Sequence, residues 1–147
     1  MRIRPYRKSD AGDLVRLVGA LAAYEKLKPP TPAAARRLVR DIGRRIRVVM
    51  AELDGDCVGY AIYLFTYSSF LARPTLYLED VFVLPGHRGK GIGRKFFDVL
   101  LREARREGCG RMEWAVLRWN KPALSFYGKL GAKPLDEWIT YRLPLGR

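Results

Sequence analysis

The residues best equipped for chemistry lie in the run Leu84-Pro85-Gly86-His87-Arg88-Gly89-Lys90-Gly91-Ile92-Gly93-Arg94-Lys95. Glycine has no Cβ, so a backbone of this kind approaches a ligand closely and turns several N–H groups toward it. A strand-like run precedes the segment and a helical pattern follows it. That order puts the N–H groups at a helix N-terminus, where the dipole favours an anion such as a pyrophosphate. Arg88, Lys90, Arg94 and Lys95 add positive charge in the same place. The spacing Gly89-x-Gly91-x-Gly93 is not the dinucleotide fingerprint G-x-G-x-x-G, and no lysine-serine pair of a Walker loop follows. His87, the one histidine, sits in the preceding turn and reads as a solvated loop residue. Cys57 and Cys109 lack metal-ligand spacing, so no metal is expected; Cys109 reads as a small buried residue.

These residues need elements to hold them. Residues 1–5 are β-compatible, and Ser9-Asp10 offers a helix cap. Leu14, Leu17, Val18, Leu21 and Ala22 then form one apolar face of a helix that runs to about Tyr24 or Lys26. Pro29-Pro30 breaks it, and Thr31 caps a second helix starting at Pro32. Strands follow at 47–53 and 58–66, joined by an Asp54-Gly55 hairpin turn, and a third at 76–84. A long helix starts within 89–93, with Ile92, Phe96, Phe97, Leu100, Leu101 and Ala104 inward, and stops at Gly108. A strand at 111–117, a short helix at 122–130 and a final strand at 138–143 complete the order. The expectation is one α+β domain over residues 1–147.

With the elements in place a resemblance becomes visible. Arg88-Gly89-Lys90-Gly91-Ile92-Gly93 resembles the R/Q-x-x-G-x-G/A loop of the GNAT N-acetyltransferase superfamily, which holds the pyrophosphate of acetyl-CoA. Trp119-Asn120-Lys121-Pro122-Ala123, with Phe126-Tyr127 and Leu130-Gly131-Ala132, is similar to that superfamily's other cofactor segment. The run Tyr63-Leu64-Phe65-Thr66-Tyr67, then Leu76-Tyr77-Leu78-Glu79-Asp80-Val81-Phe82-Val83, resembles the spermidine/spermine and thialysine N-acetyltransferases, as does Tyr24-Glu25. The likeness departs after Tyr67, where Ser68-Ser69 replaces a usually acidic position. The fold this implies is the GNAT-type one, a central mixed, mostly antiparallel sheet flanked by about four helices.

The activity implied is acetyl transfer from acetyl-CoA to a primary amine, by direct attack in a ternary complex. The acceptor would be a diamine, polyamine or thialysine-like small amine. An alkylammonium has a pKa near 10.4, so a group must accept its proton. Glu79, on the strand before the glycine loop, is the candidate base. Tyr127 is the candidate acid, because a phenol with a pKa of about 10 keeps its proton and can donate to a thiolate. The resemblance further implies that Val81, Phe82 and Val83 orient the thioester arm through their backbone. It places Arg88, Gly89, Lys90, Gly91, Ile92, Gly93 and Arg94 at the pyrophosphate, and Asn120, Lys121, Pro122 and Ala123 along the arm. Tyr24, Glu25, Glu113 and Trp114, with Glu79, correspond to acceptor-contacting positions, where carboxylates and aromatics suit a cation. Relatives of this look pair as homodimers, so a homodimer is expected.

The formal charge of +13, from Lys+Arg 28 against Asp+Glu 15, fits a phosphate-rich ligand. It also fits compositional bias: no Gln occurs and Asn occurs only at position 120. A basic nucleic-acid-binding module is the competing class. The basic residues are spread along the chain without a nucleic-acid motif, so nucleic acid is not the expected partner. Within the enzyme class, a protein lysine or N-terminus is the alternative acceptor. No apolar run is long enough to span a membrane and no signal core follows Met1, so a soluble, cytoplasmic protein is expected.

Overall fold

The computed structural model describes residues 1–146, in two compact units, 1–115 and 116–146. The first unit carries a five-stranded sheet in the order β1 (Arg2–Pro5), β2 (Arg47–Leu53), β3 (Asp56–Ser68), β4 (Arg73–Val83) and β5 (Arg111–Trp114). Neighbours are antiparallel except β4 and β5, which run parallel. The unit also holds α1 (Ala11–Tyr24), α2 (Pro32–Asp41) and α3 (Ile92–Arg106). Parallel strands cannot be joined by a tight hairpin, and α3 is the crossover that links β4 to β5. The α+β class and the mixed, mostly antiparallel sheet agree with the expectation.

Local chemistry explains most boundaries. Asp54 (φ 51°) and Gly55 (φ 87°) both take the left-handed conformation required by a two-residue hairpin turn. Thr31 accepts a hydrogen bond from the Ala34 N–H at 3.2 Å and caps α2. Gly108 (φ 73°) ends α3. Asp10 departs from its expected role. Its carboxylate accepts from Arg4 at 2.8 and 2.9 Å and from the Arg7 N–H at 2.7 Å, so it stitches β1 to a short 3-10 turn rather than capping α1. Glu52 accepts from Arg4 Nε at 2.8 Å, and the Pro5 carbonyl accepts from its Nη1 at 3.1 Å.

Leu14 and Leu17 of α1 pack on Val48, Met50, Tyr60, Ile62 and Phe82, which lie on one face of the sheet by strand alternation. Ile92, Phe96, Phe97, Leu100 and Ala104 of α3 are buried as the helical spacing predicts. Cys57 and Cys109 are free thiols, and burial pushes Cys57 up to about 11.

The second unit holds α4 (Lys121–Lys129). The strand expected at 138–143 does not form among the described residues. Alternation gives this segment strand propensity, but a strand also needs a paired neighbour for its N–H and C=O groups. Its apolar side chains are exposed instead, from Trp138 at 75% to Tyr141 at 90%.

Candidate active site

The site starts from an irregularity in β4. Asp80 pairs with Ile62 and Leu78 with Tyr63, which leaves Glu79 without a register partner. Such a bulge turns two successive residues of one strand toward the same side. Asp80, opposite Ile62, lies on the face that carries Tyr60, Phe82 and α1, and the charge of Glu79 acts on Tyr60, Tyr77 and Asp80 of that same face. The bulge is the local reason that two adjacent carboxylates share a face.

A second feature of β4 follows from its partners. Its pairing with β5 stops at Leu78, opposite Trp114, and from Asp80 to Val83 it pairs with β3 alone. Phe82 is 4% exposed, so its side chain is committed to the core, while Val81 and Val83 on either side of it are half-buried. Gly59 of β3 sits opposite Val83, where a Cβ would lie 2.6 Å from the Phe82 carbonyl oxygen. A side chain at Gly59 therefore has no room beside β4 at the root of the glycine loop.

The loop leaves β4 through a 3-10 turn, Pro85–His87, anchored by the Leu84 N–H on the Val58 carbonyl at 2.9 Å. Gly89 (φ 75°) and Gly91 (φ 79°) adopt the left-handed conformation, which a side chain would strain. Gly91 is the N-cap of α3 and brings no side-chain acceptor, so the first helical N–H groups face outward uncapped by a side chain. Ile92 is buried at 2% and anchors the helix start, Gly93 follows it, and Lys90 and Arg94 are exposed. Arg94 pairs with Asp98 at 3.4 Å, one helical turn on. This backbone with its cations fits the diphosphate of a coenzyme A thioester.

Arg88 behaves differently from its neighbours. Its Nε donates to the Val83 carbonyl at 2.9 Å. Its guanidinium carbon stands 4.5 Å from the centre of the Tyr24 ring and 5.5 Å from that of Phe82. It therefore ties the loop to the end of β4 and to the last residue of α1. Cation–π stacking explains this orientation without a phosphate.

Of the acceptor candidates in the first unit, Tyr24, Glu25, Glu79 and Glu113 border the face of Tyr60 and Phe82, whereas Trp114, opposite Leu78, turns to the α3 side of the sheet. Glu25 follows Tyr24 at the end of α1, and burial raises its carboxyl. Asp80 is largely buried and accepts from the Tyr60 hydroxyl at 3.0 Å. Burial, together with the charges of Glu79 and Glu25, pushes Asp80 up to about 6, although the Tyr60 hydrogen bond pulls the other way. Tyr77 is raised by burial and by Glu79 and Glu113, so Glu113 borders this group across the parallel register. Glu113 also pairs with Arg111 at 3.3 Å, and Trp114 packs edge-on to Phe97 at 5.1 Å, which gives both a structural task as well. Asp80 and Tyr60 were not singled out in the sequence. The available signal was an adjacent Glu-Asp pair in an otherwise apolar strand.

The remaining candidates belong to the second unit. Asn120 caps α4 by accepting from the Ala123 N–H at 3.3 Å, with Pro122 in the first turn beside Lys121. Tyr127 is half-buried on the same helix, its ring 5.7 Å from that of Phe126. Among the described residues, no three His, Cys, Asp or Glu side chains gather as metal ligands.

Comparison with known proteins agrees with this geometry. A mouse (Mus musculus) thialysine N-epsilon-acetyltransferase is 37% identical over 96% of this chain and 91% of its own length. An Arabidopsis thaliana L-ornithine N5-acetyltransferase is 38% identical over 61% of this chain and 40% of its own. The crystal structure of a ribosomal-protein-alanine N-acetyltransferase from Brucella melitensis shares the fold, with a TM-score of 0.78 at 23% identity over 99% and 100% of the two chains. The family model described as Acetyltransferase (GNAT) family matches residues 18–132. With glycine loop, bulged strand and sequence in agreement, the chain belongs to the GNAT acetyltransferase family and is an N-acetyltransferase.

Proposed function

We propose that residues 1–147 form one working enzyme that uses acetyl-CoA to acetylate the primary amine of a small alkylamine. The observation that carries this reading is local charge reversal. In a chain of net charge +13, Glu25, Glu79, Asp80 and Glu113 border one sheet face beside the aromatic rings of Tyr24, Tyr60 and Tyr77. A carboxylate-lined face with aromatic walls selects an ammonium and disfavours an anion. The thialysine and ornithine acetyltransferases to which the chain is similar are named for amines at the end of a short alkyl chain.

When bound, acetyl-CoA supplies the acetyl thioester. The outward N–H groups of residues 89–93, with Lys90 and Arg94, hold its diphosphate, and the backbone of Val81–Val83 aligns the arm. Asn120 and Lys121–Ala123 line it. Glu79, exposed on the bulge, meets the incoming ammonium directly or through one water. Tyr127 holds the proton that the departing sulfur requires. Both ligands are bound before the amine attacks.

The protein works as a homodimer in the cytoplasm. Leu135, Trp138, Ile139, Tyr141, Leu143 and Leu145 form an exposed apolar stretch that a second copy would cover. Two free cysteines suit a reducing compartment, and no helix of the described residues is long and apolar enough to cross a membrane.

The test is acetyl-CoA turnover read as free thiol, with thialysine, ornithine, 1,4-diaminobutane, spermidine and an N-terminal alanine peptide as acceptors. Small amines should give the highest kcat/KM. Thiol release at the blank rate with every small amine would overturn the reading, and release with the peptide alone would move the acceptor to protein.

A further inference from the structure

Glu79 and Asp80 share a face, but their surroundings differ. Glu79 is exposed, whereas Asp80 is largely buried with one oxygen, Oδ2, engaged by the Tyr60 hydroxyl. No other hydrogen bond and no Lys or Arg ion pair reaches Asp80 among the described residues. A buried carboxylate without a counter-ion is costly to keep charged unless a cation arrives to meet it. Resting on the amine-acetylation reading above, we propose that Asp80, oriented by Tyr60, is the base that takes the proton from the acceptor ammonium, while Glu79 binds that ammonium.

The groups around Asp80 explain how it would be poised. Tyr60 donates from β3, at 0% exposure, and burial raises its phenol so that it stays protonated and keeps its role as donor. Glu79 on β4 and Glu25 at the end of α1 supply negative charge. Arg88 lies beyond Tyr24 and Phe82, stacked on both rings. The outcome is a carboxyl held near 6. A base whose proton affinity lies close to the working pH is still ionised when substrate arrives and is strong enough to remove a proton. Its free oxygen, Oδ1, is the accepting atom.

The ammonium gives one proton to Asp80, leaving a neutral amine and a carboxylic acid. The amine lone pair forms the C–N bond to the acetyl carbon as the C–S bond breaks. Sulfur leaves with that electron pair and is protonated from Tyr127, which regains a proton from the attacking nitrogen. Asp80 then releases its proton to solvent, so one proton appears per acetyl transferred.

The experiment is the pH profile of kcat/KM from pH 5 to 9, with acetyl-CoA and thialysine or 1,4-diaminobutane, for the wild type, D80N, Y60F and E79Q. The wild type should fall tenfold per pH unit below a midpoint near 6. Y60F removes a hydrogen bond from the charged carboxylate, so its midpoint should move up. E79Q removes a neighbouring negative charge, so its midpoint should move down while KM for the amine rises. D80N should lose about 10²-fold or more in kcat at pH 7.5 and show no such limb. Retained melting temperature and a retained melting shift with acetyl-CoA would show that D80N is folded; D80E serves where it is not, and should keep a displaced limb. A limb unchanged in D80N or lost in E79Q, or midpoints that do not move in opposite directions, would overturn the assignment. An inactive wild type would instead overturn the acceptor reading, and this proposal with it.

Discussion

Gly59→Ala tests how the end of β4 is held. The alanine Cβ would lie 2.6 Å from the Phe82 carbonyl oxygen, 3.4 Å from a Phe96 ring carbon and 3.4 Å from Val83 Cα. Carbon and carbonyl oxygen ordinarily stay about 3.3 Å apart or more, so β3 and β4 must separate by about 0.7 Å. Gly59 does not have a positive φ, so the backbone itself accepts alanine and the effect is one of contact. Overpacking of this kind costs about 1–3 kcal/mol, against about 0.5 kcal/mol regained from a stiffer unfolded chain. At about 2.1 cal/mol/K per residue, the 147 residues give roughly 0.3 kcal/mol/K, so Tm should fall by about 2–8 °C. Gly110→Ala is the control. Its Cβ would sit 2.8 Å from Leu71 Cδ1, the far end of a side chain 45% exposed and able to swing away, so Tm should stay within about 2 °C. Scanning fluorimetry of both variants, with and without acetyl-CoA, reads the difference. Val83 leads into the loop, so Gly59→Ala should also shrink the melting shift that acetyl-CoA produces. Equal Tm losses in the two variants, or none in Gly59→Ala, would refute the close-approach argument.

Arg88→Ala removes the Val83 carbonyl bond and the stacking on Tyr24 and Phe82, so KM for acetyl-CoA should rise several-fold in steady-state assays. Arg88→Lys should recover little, because an ammonium lacks the planar face and Nε geometry. Tyr127→Phe should lower kcat by about 10²-fold or more with little change in the acetyl-CoA melting shift; full turnover would remove Tyr127 from the mechanism. Asp10→Asn should cost about 3 kcal/mol by leaving the buried Arg4 short of charge, measured by urea unfolding. Arg4 holds the Asp10 carboxyl below its ordinary value. The stability it adds is therefore present above about pH 4 and lost as pH falls through the lower folded value, and Asp10→Asn should flatten that acid limb. Removal of residues 135–147 should convert a dimer to a monomer by light scattering, and a full-length chain already monomeric at high concentration would refute the role given to the exposed stretch.

The helices and hairpins were readable because their signals are local. The apolar spacing of α1 and α3, the proline break at 29–30 and the Asp54-Gly55 turn each concern a few neighbouring residues, and each is found where expected. The glycine loop was readable for the same reason, since positive φ at Gly89 and Gly91 is a demand on single residues. What was not readable depended on partners distant in sequence. Asp10 looks like a cap until Arg4 and the Arg7 N–H engage its carboxylate. The stacking of Arg88 on Tyr24, 64 positions earlier, is likewise invisible in the loop's own residues. The strand expected at 138–143 has the right alternation, but alternation says nothing of which edge would pair with it.

The bulge at Glu79 joins these two kinds of information. Nothing in the residues Leu78-Glu79-Asp80-Val81 announces a break in pairing, yet without it strict alternation would put the two carboxylates on opposite faces of the sheet. Asp80 would then be buried under α1 while Glu79 pointed toward the side of α3. One unpaired residue instead brings both charges beneath the end of α1, in a molecule whose overall charge is strongly positive. In the function proposed above, the positive excess favours approach of an anionic cofactor to the loop, and the local negative charge selects a cation for the face beside it. A two-substrate enzyme with ligands of opposite sign needs that separation, and here a one-residue slip in register supplies it.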